Sequence, residues 1–192
     1  MLRRIYDWTI SLSAHPRAMW ALAAIAFIES SVFPIPPDVL IIPMVLAARE
    51  KAWTIAAVAT IASVLGGLAG YAIGYGFFEA VGQPILAFYN YADKFDQFSQ
   101  LYNDWGAWIV GGAGLTPFPY KVVTIASGVT QLDLDTFIVA SMLSRGGRFL
   151  FVAALLWRFG APIRDVIERR LGLMFLLFVV ILAAGFYAVG FL

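Results

Sequence analysis

The chain has 192 residues, 61% of them hydrophobic and 13% charged, which is more apolar surface than a soluble domain of this size can bury, so lipid must cover much of it. A net charge of +1 provides no general basic field for nucleic acid, and the lack of cysteine removes disulfides, thiolate metal ligands and thiol nucleophiles.

At the amino terminus Arg3 and Arg4 resemble the start of a secretory signal. Asp7, Trp8 and His15-Pro16-Arg17 interrupt it before any long apolar run, and no small-residue cleavage pattern follows, so no cleaved signal is expected. A bilayer core of roughly 30 Å needs about 20 apolar residues in a helix, which sets the test for each later run. Residues 18–50 fail it as one span. They rise through Ala18 to Ser30, break at Phe33-Pro34-Ile35-Pro36-Pro37-Asp38, and return through Val39 to Ala48. Proline lacks an N–H and clashes with the preceding helical turn, so this run predicts a re-entrant hairpin broken at Pro34, Pro36 and Pro37, with a single kinked span as the alternative. Residues 52–78 contain no charge until the run ends and predict a spanning helix, on which Gly66, Gly70 and Gly74 recur at a spacing that lets another helix approach closely.

Residues 84–104 mix Phe88, Tyr89, Tyr91, Phe95, Phe98, Leu101 and Tyr102 with Asp93, Lys94 and Asp96, the pattern of an amphipathic helix lying at the membrane interface. Residues 105–131 repeat the first plan: they rise to Leu115, break at Thr116-Pro117-Phe118-Pro119-Tyr120-Lys121 and return to Thr130, predicting a second hairpin broken at Pro117 and Pro119. Residues 134–157, charged only at Arg145 and Arg148, and residues 171–192, uncharged, predict two further spans. A short polar stretch, 162–170, lies between them. All six tryptophans fall near the ends of these runs, where an amphipathic indole prefers to sit.

If both hairpins return to the side they entered, Arg3, Arg4, Arg17, Arg49, Lys51, Arg158, Arg164, Arg169 and Arg170 share one face and only Lys94 lies on the other. The positive-inside rule then makes the amino terminus cytoplasmic and the carboxyl terminus periplasmic. The order of hairpin then span occurs twice, and one span separates the two hairpins, so the second unit is inverted relative to the first, as in many secondary transporters. The expected fold is therefore an all-α integral membrane protein, a single domain of two inverted hairpin-plus-span repeats and a carboxyl-terminal span.

Five ionisable residues lie inside apolar runs: Glu29, Asp38, Lys121, Arg145 and Arg148. Each costs about 2.5–3.5 kcal/mol at mid-membrane on translocon scales, so each needs a protein partner or water. One reading is that they pair and staple the hairpins; another is that they line a polar midplane site, and both can hold. In the second, Glu29 and Asp38 are the proton-coupling candidates, while Asp38 can instead cap its own helix. Lys121, at the start of a returning half-helix, joins Arg145 and Arg148 as candidates for binding a substrate phosphate, because two acids leave one of three cations over. Arg145 and Arg148, three apart, share a helix face. No zincin, nucleophile-elbow, Walker or haem pattern is present, so no enzyme activity, metal or cofactor is expected; an acid pair with Arg and Lys leaves a membrane phosphatase as a minor option.

Glu29 followed by a break ending Pro37-Asp38, the Gly66-x-x-x-Gly70-Tyr71-x-x-Gly74 helix, and Pro117 with Ser127-Gly128 together resemble the DedA family, also described as SNARE-associated or VTT-domain proteins, over about residues 25–160. With Gly114 and Tyr120 where two arginines usually flank the second hairpin's proline, the chain looks closest to the short YqaA-like branch. The resemblance implies a lipid transporter of the bacterial inner membrane, moving polyprenyl (undecaprenyl) phosphate or a related phospholipid, with protons as coupling ion, no nucleic-acid partner and room for homo-oligomers. The alternatives are a membrane-homeostasis or assembly factor without transport, and an ion-coupled exporter of small cationic compounds that would use Glu29 and Asp38.

Overall fold

The computed structural model describes residues 17–32, 36–89, 91–116 and 119–160, and these are helical with no strand. Pro34, Pro117, the polar stretch 162–170 and the expected span 171–192 lie outside the described residues. In chain order the helices are α1 (Ala18–Ser31), α2 (Asp38–Ala47), α3 (Ala52–Phe77), α4 (Gln83–Tyr89), α5 (Ala92–Asp104), α6 (Gly106–Leu115), α7 (Tyr120–Val129) and α8 (Leu134–Gly160).

Two helical runs are long and apolar enough to cross a membrane, Arg49–Tyr89 and Leu134–Gly160. The first runs through α3 and α4 without a break, where the sequence reading ends a span at Phe78 and begins a separate interfacial helix at 84. The reason is local. A π-helical turn, Phe78–Gly82, precedes Pro84 and shifts the hydrogen-bond register, so that the Gln83 amide donates to Phe78 rather than one residue later. A π-bulge of this kind lets the chain carry a proline, which has no amide to donate, without leaving the helix. The interfacial pattern is then confined to α5, which begins after the break near Tyr91.

The helices on either side of each proline break are short, 14 and 10 residues for α1 and α2, and 10 each for α6 and α7. Pro37 immediately precedes α2 and Pro119 precedes α7, positions where the missing amide costs nothing. Ala18 and Leu22, near the start of α1, share one apolar cluster with Met44 and Val45 near the end of α2, so the chain reverses between them. The same cluster takes Ala52, Ile55, Ala56 and Ala59 from α3 and Phe149, Ala153 and Leu156 from α8. A second cluster joins Val110 and Ala113 of α6, Tyr120 and Val123 of α7, and Phe137 and Ala140 of α8.

Helix α3 is the spine against which both broken units pack. A Cβ at Gly66 would overlap the Phe27 carbonyl of α1, and one at Gly74 would overlap the Ile125 carbonyl of α7. Gly70 stands between them, facing Thr124 and the Ser30 carbonyl. Contacts therefore advance along α3 first with α1 and then with α7, so those two helices lie end to end on the same face, meeting near Gly70. Helix α8 runs antiparallel to α3, with Gly146 against Thr60 and the Trp157 ring tilted against that of Trp53 at 6.2 Å.

Candidate ion-pair site at the helix breaks

The charged side chains within the apolar runs come together where α1 ends. Glu29, in the last turn of α1, accepts from Arg145 of α8 at 2.5 Å, and Arg145 is 1% exposed against 16% for Glu29. Arg145 Nε donates to Ser63 Oγ of α3 at 2.6 Å, and Ser30 Oγ donates to Glu29 at 3.1 Å. The two serine hydroxyls lie 2.6 Å apart. Since Ser63 accepts from Arg145 and Ser30 donates to Glu29, proton economy fixes Ser63 as donor to Ser30, which closes a four-membered ring. The guanidinium carbon also sits 4.9 Å and 4.8 Å from the ring centres of Tyr120 and Phe149, and the Tyr120 hydroxyl donates to Ser141 at 2.5 Å. Arg145 is thus enclosed by a carboxylate, a hydroxyl and two aromatic rings.

One turn along α8, Arg148 pairs with Asp38 at 2.5 Å, with exposures of 27% and 21%. Asp38 is the first residue of α2, and no side-chain cap bond is made at that terminus, so its carboxylate serves the arginine rather than its own helix end. A negative charge in the first turn still complements the helix dipole. The two pairs tie the end of α1 and the start of α2 to successive turns of α8.

Lys121 lies apart from both pairs. It occupies the first turn of α7, where a cation opposes its own helix dipole, and its ammonium reaches back to the Val32 carbonyl at 3.2 Å. The Thr124 hydroxyl, one turn later, shares its single proton between the Lys121 carbonyl of its own helix at 2.9 Å and the Ser30 carbonyl at 3.1 Å. Both side chains therefore take up carbonyls at the C-terminal end of α1, which would otherwise lack partners. Among the described residues no carboxylate lies within ion-pair distance of Lys121. The structure brings Glu29 to Arg145 and Asp38 to Arg148; it does not bring the three cations into one contact. Ser30, Ser63, Tyr120, Thr124 and Ser141 belong to the same polar assembly and are not among the residues that ionisability singles out.

The VTT domain family profile matches residues 35–158, which run from within the first break through α3 and the second break to nearly the end of α8. An uncharacterised protein of Haemophilus influenzae is 39% identical over 168 residues, covering 85% of this chain and 87% of that protein. A homologue in Histophilus somni is 37% identical over 168 residues, with the same shares covered. No solved structure matches. The chain belongs to the VTT-domain family, the DedA membrane proteins, a family generally proposed to contain transporters or flippases.

Proposed function

We propose that this protein is a lipid flippase of the bacterial inner membrane, not an enzyme, which carries polyprenyl phosphate or a related phospholipid across the bilayer with protons as the coupling ion. The observation that carries the reading is the doubling of the arginine–carboxylate pairs, Glu29 with Arg145 and Asp38 with Arg148, at helix breaks level with the middle of α3. In this reading the two broken units are re-entrant hairpins entering from opposite faces, and irregular backbone at membrane depth is tolerated because protein surrounds it. Arg148 and Lys121, both partly exposed, are the groups a lipid phosphate reaches first; guanidinium binds phosphate oxygens bidentately and ammonium as a point charge. Arg145 contributes by holding the Glu29 carboxylate in place. Protonating either acid releases an arginine to an anion, which links proton uptake to phosphate binding.

A second reading has an observation of its own. The closed ring through Glu29, Arg145, Ser63 and Ser30 satisfies the charged groups within the protein, as a structural staple would. An exporter of cations gains no such support, because both of its acids already hold arginines. Transport of a fluorescent short-chain polyprenyl phosphate in proteoliposomes separates flippase from staple. The expected outcome is that Arg148→Lys slows transport about tenfold or more at unchanged melting temperature, and that Glu29→Gln removes the pH dependence. Normal transport with an unaltered pH profile in both variants assigns the pairs to structure alone.

A further inference from the structure

A groove of about 710 Å³ runs between α6 and α8, and its walls suit an apolar occupant. Two of its polar lining groups are already partnered, Thr136 donating to Asp133 and Ser144 to the Ala140 carbonyl, while Asp135 stands exposed in the first turn of α8. On the α6 side, Gly111 and Gly112 leave the backbone bare, with nothing within 4 Å of the place a Cβ would take. On the α8 side, Val139 and Leu143 are 56% and 73% exposed. The same face of α8 continues past the groove through exposed Gly147 and Leu150, at helical spacing. It is an apolar stripe that the described helices leave open.

We infer that this groove and stripe seat the chain's own segment 171–192, packed as a helix antiparallel to α8. The segment is joined to the end of α8 at Gly160 by only the ten residues 161–170, and consecutive helices on so short a connection pack side by side. The tether also gives it an effective concentration at the groove that a second copy of the chain lacks.

Length and composition agree with this seat. Helix α8 has 27 residues, and the 22 residues of 171–192 make a helix of roughly 33 Å. If the segment starts level with Gly160 and runs back along α8, residue 192 comes level with Val139, so the segment reaches the groove and stops short of Asp135. In that register Ala184 and Ala188 stand level with Gly147 and Leu143. Small residues four apart share a helix face, and opposite a glycine and the bare backbone of α6 they allow close approach. Phe186, Tyr187 and Phe191, in the same half of the segment, supply bulk to fill the groove, and no charge opposes burial. Within lipid, helices associate through close packing of this kind, and a fluid acyl chain has no fixed shape to match such a wall.

The chain has no cysteine, so pairs of introduced cysteines report the contact directly. Leu143→Cys is combined in turn with a cysteine at each position from 184 to 188, and the full chain is oxidised in the membranes that express it. A disulfide needs Cα atoms roughly 4.4–6.8 Å apart, so only facing positions join. Free thiols are then counted after denaturation with a high-mass maleimide. The expected result is a monomer without free thiols, strongest on one helical face of the segment and weak half a turn away. Ile61→Cys, exposed on α3, should give none with the same series. Gly112→Trp should fill the groove and slow the cross-link about tenfold, whereas Gly76→Trp, equally free of neighbours but on α3, should leave it unchanged. Disulfide-linked dimers through Leu143→Cys would give the groove to a second copy, and no cross-link at any position would leave it to lipid. Either result, an equal yield from Ile61→Cys, or an undiminished rate in Gly112→Trp overturns the assignment.

Discussion

Arg145 heads the fully buried side chains of the described fold by size, and a buried guanidinium survives there only because its surroundings replace the water it has lost. Removing one member of such a pair leaves the other charge uncompensated, typically at a cost of about 3–5 kcal/mol, whereas removing both can be close to neutral. Arg145→Ala should therefore destabilise strongly, and the double variant Glu29→Leu with Arg145→Met should be more stable than Arg145→Ala alone. Melting temperatures of the single and double variants in one detergent would check this, and simple additivity would show that the two residues do not act as a pair. Charged residues in apolar runs were legible in the sequence because composition makes them stand out. Their pairing was not, since Glu29 and Arg145 are 116 positions apart and Arg148 offered Glu29 an equally plausible partner. The serines and threonine that complete the assembly were invisible for another reason: single hydroxyl residues bond their own helix backbone so commonly that they carry no signal.

Among the elements, α3 shows how much of the packing rests on a missing side chain. A methyl group at Gly74 meets the backbone of α7, which cannot yield as a side chain would, while one at Gly76 meets nothing within 4 Å. Gly74→Ala should destabilise by about 1–3 kcal/mol through overpacking, and Gly76→Ala should be neutral or stabilising by up to about 1 kcal/mol through helix propensity. Equal melting temperatures for the two variants would deny the close approach. At the start of α8, Asp133 accepts from the Thr136 amide and hydroxyl, both at 2.8 Å, and these bonds hold its carboxyl below the usual carboxylate range. A carboxylate with a lowered folded pKa stabilises above its unfolded value and loses that effect as pH falls through the folded one. Asp133→Ala should accordingly melt lower than the parent at neutral pH, and the gap should close in acid. The repeating glycines announced a contact face from the sequence. The continuation of the helix beyond Phe78 was not legible, because the uncharged run ends at Glu79 and mixed polarity gives no sign of the π-turn that carries the helix through Pro84.

At the scale of the molecule, the distribution of Lys and Arg sets the orientation if the two apolar runs cross the bilayer. A reporter inserted near Asp93 should read as periplasmic, and one fused after Gly160 as cytoplasmic. The same compartment for both would remove the proposed crossing by α8 or by α3. The order of elements was readable because length and proline breaks are one-dimensional properties. The way α1 and α7 come to share one face of α3 is a property of the packed chain alone.

That shared face has a mechanical consequence. Helices of 14 and 10 residues laid end to end cover at most about 36 Å at the usual rise, comparable to a bilayer's hydrocarbon thickness, so together they have the length that one crossing would need, assembled from two distant parts of the chain. The joint between them has no peptide bond. It is held by Lys121 and Thr124 reaching to the carbonyls of Val32 and Ser30, and the negative pole of one helix faces the positive pole of the other. Parting the halves exchanges two side-chain hydrogen bonds and does not stretch the backbone, while the end of α1 stays held to α3 through Ser30 and Ser63 and to α8 through Glu29 and Arg145.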